Sequence, residues 1–370
     1  MSDARLTSLA ASLPATVPFV GPEAQERAAG RPFAARIGAN ESVFGPSPRA
    51  IAAMAAASEH VWQYADPENH DLRAAIAAYH GVPPENIAID AGIDTLLGLL
   101  VRLTVAAGDK VVTSAGAYPT FNFHVAGFGG ELVTVPYNDD HEDPAALIAK
   151  AAEVQAKLIY IANPDNPMGT WHSADVIQRM IDAVPAGSLL VLDEAYIELA
   201  PEGTAPDLHP EEERVIRMRT FSKAYGMAGA RVAYAIGPAG LIAAFDRVRN
   251  HFGMNRTAQI GALAAIQDQA WIDHVRARVT VARNRIADIA ADNGLSVLPS
   301  ATNFVALDCG QDGAFARRVL DSLIKDGIFV RMPGVSPLNR CIRVSAGTTA
   351  DLDAFAAALP KAIAAANQGA

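Results

Sequence analysis

A lysine set directly behind a small hydroxyl residue, with glycines and then an arginine after it, can hold an anion beside a nucleophile. The chain has this arrangement in Thr220-Phe221-Ser222-Lys223-Ala224-Tyr225-Gly226-Met227-Ala228-Gly229-Ala230-Arg231. Ser222 and Arg231 can both grip a phosphate, one through a hydroxyl and the other through a two-pronged guanidinium. Gly226 and Gly229 let the backbone approach a ligand or a packed neighbour closely. Lys223 in such surroundings is partly desolvated, which makes an amine nucleophilic. An amine able to form a Schiff base beside a phosphate site is what pyridoxal phosphate requires. On this stretch alone, a surface lysine with a solvated arginine explains the residues equally well.

The ends of the expected strands supply further candidates, because open α/β sheets bind ligands at their carboxyl edge. Gly92-Ile93-Asp94 follows a strand expected over 87–91 and turns into a helix expected over 95–106. Backbone N–H groups at such a helix start, reinforced by its dipole, form an anion site. Asp94 taken alone reads more simply as a helix cap. Asn163-Pro164-Asp165-Asn166-Pro167-Met168-Gly169 follows a strand over 158–162, and its two X-Pro steps hold the Asn166 amide in place. Leu192-Asp193-Glu194-Ala195-Tyr196 closes an apolar strand over 189–192. A carboxylate there is costly unless a cation meets it, and a protonated pyridine nitrogen is such a cation.

The elements that must position these residues alternate along the chain. Strands are expected over 87–91, 110–114, 132–136, 158–162, 189–192, 215–220 and 232–236, with helices between several of them. That order indicates a seven-stranded, mostly parallel sheet covered by helices on both faces. Beyond Arg256 come long helices over 258–267 and 271–293, then short strands over 296–298, 304–307, 328–331 and 341–345. These make a smaller α+β unit. The expected division is an arm over 1–40, reaching over the molecule or a second subunit, a large domain over 41–257 and a small one over 258–370.

Composition removes other classes. A net charge of −10, without any Lys/Arg-rich block, argues against a nucleic-acid surface. The two cysteines, Cys309 and Cys341, suit buried thiols in a reducing cytoplasm rather than a disulfide framework or zinc site. The nine histidines are scattered, so no metal motif is formed. Gly127-Phe128-Gly129-Gly130 precedes a strand instead of following one, which rejects a dinucleotide fingerprint. Neither a signal peptide nor a membrane-spanning segment is expected.

Taken in order, Asn-Pro-x-Asn-Pro-x-Gly at 163–169, Asp193-Glu194-Ala195-Tyr196 and Ser222-Lys223 with Arg231 resemble the fold type I pyridoxal-phosphate aminotransferases. The histidinol-phosphate aminotransferase branch is the nearest. The likeness extends to Asn40-Glu41, Gly45-Pro46-Ser47-Pro48, Tyr64 with Asp66, Gly92-x-Asp94, Tyr118-Pro119-Thr120 and Arg343-Val344-Ser345-Ala346-Gly347-Thr348. It implies a large domain with a seven-stranded sheet, a smaller α+β domain, and pyridoxal 5'-phosphate as cofactor. Lys223 would then link to the cofactor and shuttle the proton, Asp193 would pair with the pyridine nitrogen, and Tyr118 would stack on the ring. Asn166 and Tyr196 would bond the phenolic oxygen. Ser222, Arg231 and the backbone at Gly92, Ile93 and Asp94 would hold the phosphate, with Tyr64 reaching it from the partner of a homodimer. Asn40, Arg331 and Arg343 would bind substrate, although a solvated loop position remains the alternative for Arg331.

The implied partners are a small amine and a 2-oxo acid, with no nucleic acid and no membrane. The leading reaction is amino transfer between histidinol phosphate and 2-oxoglutarate. An aromatic amino acid aminotransferase and a threonine-phosphate-type decarboxylase are the alternatives. Three departures from the family pattern stand out: Met168 for a threonine, Ala65 for a proline, and Phe19 where some members have a phosphate-binding tyrosine.

Overall fold

The computed structural model describes residues 5–15 and 20–368, so Phe19 lies outside the described residues. Its centre is a seven-stranded sheet built from β2 (Ile87–Asp90), β3 (Lys110–Ser114), β4 (Glu131–Val135), β5 (Leu158–Ala162), β6 (Leu189–Asp193), β7 (Val215–Thr220) and β8 (Ala233–Ile236). The spatial order is β2-β8-β7-β6-β5-β3-β4. Only β8 runs against its neighbours, pairing antiparallel with both β2 and β7, and the remaining contacts are parallel. Strands covered on both faces read as continuous apolar runs, and β5, Leu158-Ile159-Tyr160-Ile161-Ala162, is buried throughout.

Alternation along the strands sends successive side chains to opposite layers. Leu158, Tyr160, Val191, Ile216 and Met218 pack with Leu96, Leu100, Phe121 and Val125 of helices Ile93–Thr104 and Pro119–Gly127. Ile159, Ile161, Leu190 and Leu192 face the other way, against Leu147, Ile177 and Ile181 of helices Pro144–Val154 and Ala174–Asp182. Helix Ile93–Thr104 buries Ile93, Leu96, Leu97, Leu100 and Val101, the i, i+3, i+4 spacing of a single buried face.

The smaller part has an antiparallel sheet of β9 (Ser296–Val297), β10 (Phe304–Asp308) and β12 (Cys341–Ser345). Helices Gln269–Asp292, Gly313–Lys325 and Thr349–Gln368 cover it. Its core is continuous with the sheet: Ile76 and Tyr234 belong to the same apolar cluster as Val305, Leu320 and Phe355. Both cysteines are buried and free.

Three local expectations change. The segment expected as an arm contains regular structure among its described residues, helix Pro22–Ala29 and β1 (Ala35–Arg36). β1 pairs in parallel with β11 (Ile328–Phe329), a two-residue match too short to leave a sequence pattern. The strand expected over 328–331 ends at Phe329 because the chain changes partners there: Arg331 bridges to Arg343 instead. The helix expected from residue 95 begins at Ile93, which places Asp94 in its first turn rather than at its cap.

Candidate active site

Two cavities meet at the carboxyl edge of the sheet. The inner one, of 240 Å³, is lined by Ile93, Asp94, Tyr118, Tyr160, Asn166, Asp193, Tyr196, Ser222, Lys223 and Arg231. The outer one, of 780 Å³, shares Asp94, Tyr118, Asn166 and Lys223 and adds Asn40, Arg331 and Arg343. The elements that carry these residues are strand ends, the start of helix Ile93–Thr104, and the loop after β7.

Lys223 is half-buried, and its Nζ donates to the Asn40 carbonyl at 3.1 Å. Asn40 is itself held in the left-handed region (φ 56°), with its Nδ2 donating to the Tyr196 hydroxyl at 3.1 Å and its Oδ1 accepting from Ser345 at 3.2 Å. Its carbonyl also accepts from Asn303 at 3.0 Å. The lysine is thereby tethered to the N-terminal arm without an ion pair to a carboxylate.

Asp193 is buried at the end of β6. Its Oδ2 accepts from the Tyr160 hydroxyl at 2.7 Å and its Oδ1 from the Ala195 amide at 3.0 Å. Burial pushes this carboxyl up to about 6 against those two hydrogen bonds, because no guanidinium or ammonium touches it. A site of this kind favours an incoming cation.

The anion cradle forms between helix Ile93–Thr104 and the loop after β7. Arg231, in the left-handed region at φ 58°, donates through Nη1 to Ser222 Oγ at 3.3 Å, and its Nη2 lies 3.6 Å from Asp94. Gly92 caps the helix at φ 91°, and a Cβ there would fall 2.3 Å from the Arg231 guanidinium. Only glycine lets the helix start and the arginine come this close. Asp94 does not cap the helix; its Oδ1 accepts from the Tyr118 hydroxyl at 2.9 Å. Gly226 meets a packed neighbour, the Gly45 carbonyl, whereas Gly229 has open space around it, so the close approach expected there is not made.

Arg331 and Arg343 pair backbone to backbone and both line the outer cavity. Arg343 donates from Nη1 to Asn166 Oδ1 at 2.5 Å, while its buried Nε has no partner. Burial brings the Arg343 guanidinium down to about 10, Tyr196 works against that, and Arg331 adds to it. Burial likewise lowers Arg331, whose Nη2 donates to the Val20 carbonyl at 3.0 Å. Two neighbouring guanidiniums held below their ordinary range form a receptor for an anion.

Tyr64 is not brought to either cavity. It is 77 % exposed and packs on Phe252 with ring centroids 4.6 Å apart. Met168 is fully buried beside Ala306, Leu338 and Cys341, which explains a thioether in a position where a hydroxyl would lack water. Sequence reasoning missed Tyr160 and Asn303, and also the part played by Asp165. The Asp165 carboxyl accepts from the Tyr137 hydroxyl and the Met168 amide at 2.9 and 3.0 Å, fixing the loop that presents Asn166. A phenol inside the otherwise apolar β5 was the available signal for Tyr160; nothing local marks Asn303. Among the described residues no His/Cys/Asp/Glu group could hold a metal, and no helix is long and apolar enough to cross a membrane.

The residues present fit a phosphorylated, cationic ring: a glycine-dependent cradle for the anion, a cation-seeking buried carboxyl, and an amine between them. Comparison with known proteins agrees. The family model for aminotransferase class I and II matches residues 35–359. Histidinol-phosphate aminotransferase 1 of Mesorhizobium japonicum is 35 % identical over 332 residues, covering 88 % of this chain and 89 % of that protein. Aromatic amino acid aminotransferase of Mycobacterium avium is also 35 % identical, over 81 % of this chain and 87 % of its own length. The crystal structure of histidinol-phosphate aminotransferase from Sinorhizobium meliloti in complex with pyridoxal-5'-phosphate superposes with a TM-score of 0.96. It is 55 % identical, and 98 % of each chain is covered.

Proposed function

The chain belongs to the class I and II aminotransferase family, and on that footing we propose that it is a pyridoxal-phosphate-dependent transaminase acting on histidinol phosphate and 2-oxoglutarate. The observation that carries the substrate is the Arg331–Arg343 pair, which lines the outer cavity together with the Lys223 that both cavities share. A receptor built from two guanidiniums accepts the tetrahedral phosphate of the donor and the planar carboxylate of the acceptor in turn. The relatives that carry this activity by name cover nearly the whole chain.

In this reading Ser222, Arg231 and the backbone N–H groups of Ile93 and Asp94 bind the cofactor phosphate. Asp193 holds a proton at the ring nitrogen, Tyr118 covers the ring, and Asn166 and Tyr196 bond its phenolic oxygen. When bound, pyridoxal phosphate supplies an electron-poor ring that accepts the pair left on the substrate carbon. Lys223, whose Nζ donates to the Asn40 carbonyl, would be the group that holds the cofactor covalently and, once released, moves the proton at the substrate carbon. Arg343 and Arg331 hold the far end of the substrate so that the bond to be broken keeps its orientation.

The division into an arm (1–40), a cofactor domain (41–257) and a smaller domain (258–370) is part of the same proposal. So is a homodimer in which Tyr64, exposed beside Trp62 and Phe252, reaches the partner's cofactor phosphate. Mixing inactive Tyr64→Phe and Lys223→Ala chains should restore activity through heterodimers that have one intact site. Absence of any recovery would sink the shared site.

An amino-donor panel with 2-oxoglutarate, followed by the cofactor's absorbance, tests the reaction. Turnover fastest with histidinol phosphate is the expected result. Preference for phenylalanine or tyrosine moves the assignment to an aromatic aminotransferase, a reading that the Mycobacterium avium relative supports. Release of carbon dioxide without glutamate formation would make the enzyme a decarboxylase.

A further inference from the structure

Tyr160 carries the only hydrogen-bonding side chain of β5, and it is buried completely. Its ring stacks on Phe121 at 4.6 Å and 17°, and Tyr160 forms part of the wall of the inner cavity. There it meets Asp193 Oδ2 at 2.7 Å. Parallel pairing of β5 with β6 sets Tyr160 opposite Val191 and Ala162 opposite Asp193, so the two side chains share one face. The other carboxylate oxygen is occupied by the Ala195 amide.

We propose that Tyr160 is a positioning residue for the reaction: its hydroxyl keeps Asp193 ionised and oriented in a site with no permanent cation against that carboxylate. The proposal rests on the reading that Asp193 pairs with the cofactor's ring nitrogen. A phenol can be buried at tolerable cost only if it is hydrogen-bonded, and Asp193 is the partner it has. Asp193 gains more, because hydrogen bonds to the ionised form are what oppose its desolvation. Burial raises Asp193, the Tyr160 hydroxyl and the Ala195 amide lower it, and across the cavity Asp94 raises it while Lys223 lowers it. The Asp193 charge also reaches the buried Glu142 carboxyl and the Tyr118 phenol. Within this ring of acids and phenols, Tyr160 is the side chain that donates directly to Asp193.

A ring that only fills space between sheet and helix would act equally well as phenylalanine, and this separates the two roles. In the full-length chain, the Asp193 carboxyl is followed by carbon-13 NMR against pH, with Asp193→Asn to assign the signal. Tyr160→Phe, which retains the stack on Phe121, should raise the Asp193 midpoint by about one to two pH units. In the cofactor-loaded enzyme the acid limb of kcat should move up in parallel, with KM for the donor unchanged and the cofactor's absorbance altered. Should Tyr160→Phe fold poorly, 3-fluorotyrosine at position 160, a stronger donor, should move the midpoint down instead. An Asp193 midpoint indifferent to both changes overturns the proposal even in an enzyme that binds its cofactor at Lys223. A wild-type chain that takes up no pyridoxal phosphate would end the functional reading, while the Asp193 titration would still decide whether Tyr160 governs that carboxyl.

Discussion

Asp193 and Glu194 are sequence neighbours, both acidic and both buried, yet they meet different partners. Asp193 looks into the inner cavity, where it has two uncharged donors and is pushed up to about 6 by burial. Glu194 turns toward Arg217 and Arg219, at 2.6 and 2.8 Å. Burial would raise it as well, but the two guanidiniums overcome that and hold it at about 2. The lesson is that the kind of acid does not set its role; the cations within reach do. A buried carboxylate already saturated by arginines is part of the frame, and one left short of charge is available to a ligand.

The largest effect expected on the Asp193 side comes from Lys223→Ala. Turnover should fall by about 10²–10⁴-fold with the fold intact, since proton transfer by a placed group contributes that much. Borohydride reduction and peptide mapping should label Lys223 in the wild type and find nothing there in the variant. By contrast, Glu194→Gln leaves Arg217 and Arg219 buried without their counter-charge. A loss of about 3–5 kcal/mol in denaturant unfolding is expected, with kcat per folded molecule preserved. A stable but inactive Glu194→Gln enzyme would break the contrast between the two acids.

Arg331→Met probes the anion end of the cleft. It should reduce kcat/KM for a phosphorylated donor by about 10- to 150-fold, corresponding to about 1.5–3 kcal/mol for a charge-assisted contact. An aromatic amino acid donor should be affected far less, and equal losses would remove Arg331 as a phosphate reader.

The smallest effects are in pH dependence, and they carry opposite signs. The folded-state value of Asp193 is raised from 3.8 to about 6, so its contribution to stability is full below 3.8 and lost as pH rises through 6. That of Glu194 is lowered from 4.5 to about 2, so its contribution is present above 4.5 and lost as pH falls toward 2. Stability curves of Asp193→Asn and Glu194→Gln against the wild type should diverge in those two windows. Parallel curves would mean that the two carboxyls share one environment.

The parts of the site that could be read from sequence are those made by short stretches. Ser222-Lys223, the prolines around Asn166, and Asp193 at the end of an apolar strand each announce themselves within a few residues. Tyr160 showed only as a phenol in an apolar run, because its partner depends on the register between β5 and β6, which no local pattern encodes. Asn303 was silent: it matters by reaching the carbonyls of Asn40 and Glu41 from the far end of the chain. The large sheet was legible because apolar strands alternate with helices, whereas β1 and β11 are two residues each and exist only as a pair.

Asn40 gives the site an order of construction. It holds Lys223, Tyr196, Asn303 and Ser345, the last of these 305 residues away, so its partners are made long after it is. A chain growing from its N-terminus completes β6 and the Lys223 loop well before β12, and contacts so distant in sequence close late because long loops must be brought together first. Until Ser345 arrives, the left-handed turn at Asn40 lacks the hydroxyl that receives its amide at 3.0 Å, and the tether on the lysine has no anchor. The tether between Lys223 and Asn40 is therefore among the last contacts of the site expected to be completed.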